Sequence, residues 1–189
     1  MDTVEGFHAR HEEQYRFDVA QIIIGEVLKE GKFKLSGGEV SNFYFDFSKV
    51  LLDGEFRQKT GLYLHRIIRS KKFTYSKPAG LKSGGGHLAG IIAGEAQSWV
   101  EIRKDPHPIK GRIEGKILPE DKLLLVEDVT TSGSLVELAE DLTQEGYQVT
   151  AAMALVDRSN GKVSEAMENL RIRYAPGFIS DELLDMVGI

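Results

Sequence analysis

The sequence predicts an α/β fold in which a central, mainly parallel sheet is flanked by helices. From residue 79 onward, short apolar runs alternate for the most part with helical stretches, a pattern typical of such a sheet. The runs are residues 79–82, 99–104, 122–129 and 149–157. The segment LLLV at 123–126 is apolar without alternation, as expected of a middle strand that is covered on both faces.

The third and fourth runs enclose a crossover helix. Leu135, Leu138, Ala139 and Leu142 follow the spacing of one helix face, and the helix is expected to end near Gly146. The connection between the second and third runs is different, because residues 105–121 carry three prolines and two glycines. This segment is predicted to join two strands without a helix, as a long polar connection of a functional kind.

The N-terminal part predicts a helix, a hairpin and a second helix. Apolar residues between Ala20 and Leu28 follow helical spacing, in a helix that runs into Gly31. The alternating set Phe43, Phe45 and Phe47 predicts a strand that forms a hairpin with the segment before it. The second helix is expected over residues 54–71, and the acidic tail 180–189 predicts a short packed helix.

Composition excludes several functional classes. A chain of 189 residues with 41% hydrophobic and 28% charged residues is expected to form a single domain, residues 1–189. Without cysteine it has no disulfide, no thiolate nucleophile and no cysteine-ligated zinc. The net charge of −5 argues against nucleic acid as a partner, and no apolar run predicts export or a membrane span. A cytoplasmic protein is expected.

The segment 123–142 carries the strongest chemical signal. An apolar strand ends in Glu127 and Asp128, and a turn rich in hydroxyl groups and glycine then leads into a helix. Backbone N–H groups at such a helix start can hold a phosphate. Two carboxylates at the end of a strand can bind ribose hydroxyls or a hydrated Mg²⁺. No lysine follows the glycine, so the turn is not a Walker A loop, and no strand is followed by GxGxxG.

This segment resembles the phosphoribosyl-pyrophosphate (PRPP) signature of the type I phosphoribosyltransferases. The resemblance implies that Glu127 and Asp128 bind the ribose hydroxyls of PRPP and that the turn after them binds its 5-phosphate. The implied turn residues are Val129, Thr130, Thr131, Ser132, Gly133 and Ser134. It also implies the fold of that family and Mg²⁺ as cofactor, held mainly through substrate and water near the two carboxylates.

Further segments resemble the orotate phosphoribosyltransferases within this family. Residues 33–53 are similar to the family's N-terminal hood, which implies a hood of about residues 15–50 and orotate contacts from Ser36 and Tyr44. The segment VDRSNG at 156–161 implies that Arg158 contacts the base, together with Thr131. A planar guanidinium suits that role, since it offers paired donors to a planar anion.

Two more segments resemble the parts of this family that contact pyrophosphate. In residues 80–88, Ser83, Gly84 and Gly85 are implied to present backbone N–H groups. Residues 102–115 resemble the family's mobile lid loop, which in a homodimer reaches the neighbouring subunit's site. The catalytic residues so implied are Glu127, Asp128, Arg103, Lys104 and a further lid cation.

The chain departs from the family pattern in the lid. This lid, residues 103–115, is a little shorter than usual, and ungapped counting puts His107 at the position of the family's catalytic lysine. Lys110 or Arg112 could take the role if the gap lies elsewhere. In addition, Glu39 stands at a hood position that is commonly basic, and Gly84 stands where some members have lysine.

Three functions are compatible with these segments. The first is an orotate phosphoribosyltransferase, which converts PRPP and orotate to orotidine 5′-monophosphate and pyrophosphate in pyrimidine (UMP) biosynthesis. The second is a non-catalytic PRPP-binding regulator, which the shortened lid favours. The third is a phosphoribosyltransferase for another base. The hood and Arg158 favour the first, because a regulator that senses PRPP alone needs no contact with orotate.

Overall fold

The computed structural model describes residues 4–34, 38, 40–82, 84–95, 97–109, 111–131 and 133–189, with side chains from Glu13 onward. The chain divides into two compact units, residues 1–63 and 64–189. Each is described by itself below. The single domain expected from the sequence, with its hood at about residues 15–50, stays a prediction.

The first unit contains a helix and a two-stranded hairpin. Helix α1, Val4–Ile22, continues into a π-helical turn, Ile23–Val27. Strands β1, Leu28–Lys34, and β2, Val40–Phe45, pair in antiparallel fashion, with Leu28 opposite Phe45. A 3₁₀ turn, Val50–Leu52, and the start of helix α2, Gly54–Ser70, follow. The predicted hairpin and second helix are confirmed.

Two boundaries predicted in this unit are wrong. The first helix does not run to Gly31, because Leu28 already begins β1 and its pairing with β2 replaces helical hydrogen bonds. The strand expected to include Phe47 ends at Phe45. There the Asp46 carboxylate accepts hydrogen bonds from the backbone N–H and the hydroxyl of Ser48, at 3.1 and 2.6 Å, and so turns the chain.

The second unit is a six-stranded sheet with helices. Its strands are β3 (Lys77–Leu81), β4 (Val100–His107), β5 (Gly111–Glu114), β6 (Lys122–Thr130), β7 (Gln148–Asp157) and β8 (Arg173–Ile179). Its helices after α2 are α3 (Gly84–Ala93), α4 (Ser134–Gln144), α5 (Lys162–Asn169) and α6 (Ser180–Asp185). The strand order is β5-β4-β3-β6-β7-β8, and every neighbouring pair is parallel except β4 and β5.

This architecture confirms the predicted α/β fold. Strand β6 lies between β3 and β7, and residues 123–127 of it are all buried, as its unbroken apolar run predicted. The crossover helix is α4, whose apolar stripe is buried. The tail helix is α6. None of the described helices is long and apolar enough to cross a bilayer.

The sequence reasoning missed two strands. Strand β8 contains Pro176 and Gly177, two residues that are depleted in strands, and it lies at the edge of the sheet where proline is tolerated. Strand β5 lies inside the segment predicted as a polar connection. The described residues of that segment form no helix, in line with the prediction, but β4 continues to His107 and pairs with β5 as a hairpin.

A buried ion pair between Lys77 and Asp121 lies at the amino-terminal ends of β3 and β6. The ammonium group of Lys77 at the start of β3 donates to Asp121 Oδ2 at 2.7 Å and to the Lys116 carbonyl at 2.6 Å. The hydroxyl of Ser76 and the N–H of Leu118 also donate to the Asp121 carboxylate, at 2.9 and 2.7 Å. The hydrogen bond from Leu118, followed by that from Lys77, lowers the pKa of Asp121 to about 2.

Candidate functional site

The candidate site lies where β6 ends and α4 begins. Glu127 and Asp128 are close to the carboxyl end of β6, between the parallel neighbours β3 and β7. In open α/β sheets, ligands bind at this end of the strands. Thr131 follows the strand, Gly133 precedes α4, and Ser134 is its first residue. Ser132 lies outside the described residues.

Glu127 is a buried acid with unused hydrogen-bonding capacity. Its side chain is only 7% exposed, and its Oε1 accepts a hydrogen bond from the Ser134 hydroxyl at 2.8 Å. Its Oε2 and the hydroxyl of Thr130 are buried without a partner of good geometry in the described part of the chain. Burial raises the pKa of Glu127 to about 7, against the opposing effect of the Ser134 hydroxyl.

Asp128 packs against the start of α3. A β-carbon on Gly84 would lie 2.2 Å from the Asp128 carboxylate, so glycine leaves the space that the carboxylate fills. Burial raises the pKa of Asp128, while the N–H of Val129 and the charge of His87 lower it by smaller amounts. The absence of a side chain at residue 84, a departure from the family pattern, is thus tied to the position of Asp128.

Glycines allow α3 to approach the strand ends closely. A β-carbon on Gly85 would lie 2.3 Å from the Val126 carbonyl oxygen, and one on Gly80 would lie 2.1 Å from the Gly85 backbone. The segment predicted as a pyrophosphate turn therefore places Gly84 and Gly85 in the first turn of α3. Ser83 lies outside the described residues.

The turn before α4 offers backbone donors. The residue that precedes the helix is Gly133, and no side-chain hydrogen bond caps the helix start in the described residues. The Ser134 hydroxyl is directed to Glu127. Helix N–H groups without a capping side chain are the donors that bind phosphate in other α/β proteins.

Arg158 follows β7 beside this turn. Its backbone N–H donates to the Thr130 carbonyl at 2.9 Å, which fixes the two chain segments to each other. Next to it, Asp157 is only 2% exposed and accepts hydrogen bonds from the Ser159 N–H at 2.6 Å and from the Tyr174 hydroxyl at 2.9 Å. Burial, with the charge of Asp157 as a second cause, raises the pKa of Tyr174.

The predicted lid is the β4–β5 hairpin. Arg103 donates to Oε1 of Glu114 on the opposite strand, and Arg103 is the main cause of the lowered pKa of Glu114. Nε of Arg103 is buried without a partner in the described residues. Lys82, which follows β3, places its ammonium group 3.4 Å from Glu114 Oε2 and 3.5 Å from Glu101 Oε2.

The remaining lid candidates have different surroundings. Lys104 is exposed. His107 ends β4, and its Nδ1 accepts a hydrogen bond from the Ile109 N–H at 3.1 Å, which closes the hairpin tip. Arg112 contacts α4, as described below. Lys110 lies outside the described residues.

The hood candidates belong to the first unit. Tyr44 lies on β2 with its ring centroid 5.6 Å from that of Phe33 and is 44% exposed. Ser36 and Glu39 lie outside the described residues. The orotate contacts expected from Ser36 and Tyr44 stay predictions.

Four residues near the site were missed by the sequence reasoning. They are Lys82, Glu101, Asp157 and Tyr174. Only Lys82 had a signal in the sequence, because it is a cation inside the glycine-rich segment GLKSGGG. The other three act through contacts between separate strands, which no local pattern contains.

Comparison with known proteins identifies the family, although no protein-family model matches the chain. An orotate phosphoribosyltransferase of Pyrococcus abyssi is 30% identical over 175 residues, which cover 90% of this chain and 96% of that protein. The orotate phosphoribosyltransferase of Thermococcus kodakarensis is 33% identical over 153 residues, covering 79% of this chain and 80% of that one.

Solved structures agree in fold. Mycobacterium tuberculosis orotate phosphoribosyltransferase in complex with PRPP superposes with a TM-score of 0.72 at 24% identity, covering 89% of this chain and 98% of that chain. The orotate phosphoribosyltransferase from Aeropyrum pernix gives a TM-score of 0.72 at 23% identity, with coverage of 90% and 99%. By its sequence relatives, and in agreement with its fold, the chain belongs to the orotate phosphoribosyltransferase family.

Proposed function

We propose that the carboxyl end of the sheet is where this chain performs the reaction of its family. In that reaction the phosphoribosyl group of PRPP is transferred to orotate, giving orotidine 5′-monophosphate and pyrophosphate in pyrimidine biosynthesis. The observation that carries the proposal is the pair Glu127 and Asp128 beside the start of α4, which no side chain of the described residues caps. This arrangement supports the proposal because carboxylates that could bind a sugar lie next to donors that could bind a phosphate.

The two carboxylates would bind the ribose. Oε2 of Glu127, which has no partner of good geometry among the described residues, can accept a hydrogen bond from a ribose hydroxyl, and doing so would satisfy a buried polar atom. Asp128, fixed against Gly84, supplies a second acceptor. The turn from Val129 to Ser134 would hold the 5-phosphate through its N–H and hydroxyl groups, with the N-terminal end of the α4 dipole adding attraction.

The carboxylates also fit Mg²⁺, which binds proteins through one or two carboxylates plus substrate phosphates. No group of three or more His, Asp or Glu side chains that could hold a metal occurs in the described residues. The donor set therefore suits an ion shared with the ligand, near Glu127 and Asp128, better than a closed protein site. Such an ion would offset negative charge on the leaving pyrophosphate.

The reaction needs no protein nucleophile. The bond from the anomeric carbon to pyrophosphate breaks with both electrons leaving on the pyrophosphate oxygen, and the ring nitrogen of orotate forms the new bond as its N–H proton is released to pyrophosphate or water. The transition state carries positive charge on the ribose ring. Catalysis then depends on positioning and on charge stabilisation, which the buried carboxylates and the cations of the lid supply.

Pyrophosphate would be contacted by the start of α3 and by the lid. Gly84 and Gly85 bring backbone N–H groups to the strand ends, Ser83 is proposed to add a further N–H group, and Arg103 and Lys104 supply positive charge from the hairpin. We extend the proposal to a homodimer in which the lid serves the neighbouring subunit's site. His107 and Lys110 are the candidates for the remaining lid cation.

Orotate would be bound by Arg158 and Thr131. The hydrogen bond from the Arg158 N–H to the Thr130 carbonyl keeps Arg158 beside the phosphate turn. The residues that would bind orotate and those that would bind the 5-phosphate of PRPP are therefore adjacent. Ser36 and Tyr44 are the proposed contacts from the hood. We also propose a cytoplasmic location. The chain has no cysteine and so does not depend on disulfides, which form in oxidising compartments.

A spectrophotometric assay of orotate consumption tests the proposed function. Purified protein should consume orotate only when PRPP and Mg²⁺ are both present. Turnover with another base but not with orotate would contradict the assignment of substrate. PRPP binding without any turnover would favour the non-catalytic regulator, for which the shortened lid is the supporting observation.

A further inference from the structure

We infer that Arg112 is a positioning residue that anchors the lid hairpin to helix α4 through Asp141 and Glu145. The inference deepens the proposed function and rests on it, since it gives Arg112 a role in the turnover of PRPP. From the sequence alone, Arg112 is a candidate to replace the missing lid lysine, a role that requires its guanidinium to contact the substrate.

The guanidinium of Arg112 is engaged on three sides. Its Nη2 donates to Asp141 Oδ2 at 2.7 Å and its Nη1 to Glu145 Oε1 at 3.0 Å. Its Nε donates to the Arg103 carbonyl at 3.3 Å. One side chain of β5 thus joins β4, β5 and the last turn of α4.

The two carboxylate acceptors on α4 suit an arginine better than a lysine. Asp141 and Glu145 are four residues apart, so their carboxylates lie one helical turn apart on the same face. A planar fork with parallel donors can bridge both, whereas a lysine ammonium offers a single point charge. The carboxyl-terminal end of the helix also favours a cation.

The hairpin needs such an anchor because its own pairing is incomplete. The β4–β5 ladder is irregular between Ile102 and His107, and the Arg103 carbonyl lies in that stretch. Arg112 supplies a donor to that carbonyl. Because β5 has only four residues, the contact with α4 adds a fixed point that the ladder does not provide.

The anchor connects the lid to the phosphate turn through one rigid element. Helix α4 begins at Ser134, the last of the proposed phosphate-binding residues, and ends beside the carboxylates that hold Arg112. In the proposed homodimer the hairpin serves the neighbouring subunit's site, so the anchor fixes Arg103 and Lys104 relative to their own subunit, through the helix that positions that subunit's 5-phosphate. Loss of the anchor should let these lid cations sample more positions and so lower the rate with PRPP.

The decisive comparison removes the acceptors and leaves Arg112 in place. We expect Arg112→Ala and the double variant Asp141→Asn/Glu145→Gln each to lower kcat/KM for PRPP by about fivefold, the scale of a partly exposed ion-pair cluster. The KM for orotate should stay within about twofold. The variant that combines all three substitutions should have a kcat/KM for PRPP no lower than that of Arg112→Ala or of the double variant. The kcat/KM of Arg112→Lys should lie between those of Arg112→Ala and the wild type.

A second readout uses the protein without PRPP. Backbone amides of β4 and β5 should exchange with solvent faster in both anchor variants than in the wild type. The matched control is Glu120→Gln/Glu140→Gln, which removes the same charge from two exposed positions. This control should leave both the exchange and the kinetics unchanged.

Three results would overturn the inference. The double variant could behave like its control while Arg112→Ala loses activity, which would make Arg112 a direct ligand contact. The combined variant could be worse than either of its parts. The exchange of the hairpin amides could be unaffected. If the wild-type protein fails to consume orotate, the proposed function fails, yet the exchange experiment still decides whether Arg112 anchors the hairpin.

Discussion

The Asp128 carboxylate occupies the space that a side chain on Gly84 would need. A β-carbon at residue 84 would lie 2.2 Å from the carboxyl carbon and from Oδ2 of Asp128. The contact joins the end of β6 to the first turn of α3, and so joins the proposed ribose site to the proposed pyrophosphate site. A change at either residue is therefore a change in the geometry of both.

Gly84→Ala should displace Asp128 and weaken the use of PRPP. Because the displaced atoms belong to the end of a side chain, we expect the fold to be kept and kcat/KM for PRPP to fall about tenfold, equivalent to about 1.4 kcal/mol. Steady-state kinetics with PRPP varied would measure this. Gly54→Ala, where a β-carbon meets nothing within 4 Å, is the control. Equal kinetics for the two variants would contradict the role given to the contact.

This contact illustrates where sequence reasoning stops. The middle strand, the acidic pair and the turn before α4 were predictable, because each depends on neighbouring residues and on local periodicity. The fit of Asp128 against Gly84 depends on two segments that only the sheet brings together. The same holds for Tyr174, whose strand is obscured by Pro176 and Gly177, and for Arg112, whose acceptors lie on a different element.

Glu127→Gln should stabilise the ligand-free protein at alkaline pH. The pKa of Glu127 is raised from 4.5 to about 7 by burial, so the folded state binds a proton that the unfolded state has lost. Stability from this group is therefore present below about pH 4.5 and is lost as the pH rises through 7. The glutamine cannot ionise, and its advantage above pH 8 has an upper bound of about 3 kcal/mol.

Thermal unfolding at several pH values checks this expectation. The difference in Tm between Glu127→Gln and wild type should grow between pH 5 and pH 8, and Glu140→Gln on the exposed face of α4 should show no such trend. A difference that shrinks as the pH rises would mean that the carboxylate of Glu127 is stabilised in the folded protein. Its buried Oε2 would then need a partner.

Asp121→Asn should destabilise the protein far from the proposed site. Asp121 accepts hydrogen bonds from Lys77, Ser76 and Leu118, and removing its charge leaves the buried ammonium of Lys77 unpaired. We expect a loss on the order of 2–4 kcal/mol at pH 7. Chemical denaturation measures it, with the exposed neighbour Glu120→Gln as control.

The pH dependence of this loss has the opposite sign to that of Glu127. The pKa of Asp121 is lowered to about 2, so its ionised form stabilises the fold above the ordinary value of 3.8. That stability is lost as the pH falls through 2, and the gap between Asp121→Asn and wild type should narrow in acid. A gap independent of pH would show that the asparagine acts through packing and not through charge.

Arg158→Ala should raise the KM for orotate much more than the KM for PRPP. The proposed contact is with orotate, while the hydrogen bond to Thr130 comes from the backbone of Arg158 and survives the substitution. We therefore expect the KM for orotate to rise at least about tenfold, the scale of a lost charge-assisted hydrogen bond, with the KM for PRPP changed by less than about twofold. Arg158→Lys, which keeps the charge and loses the paired donors, should recover part of the loss. Equal increases in both constants would place Arg158 in the support of the phosphate turn instead of at the base.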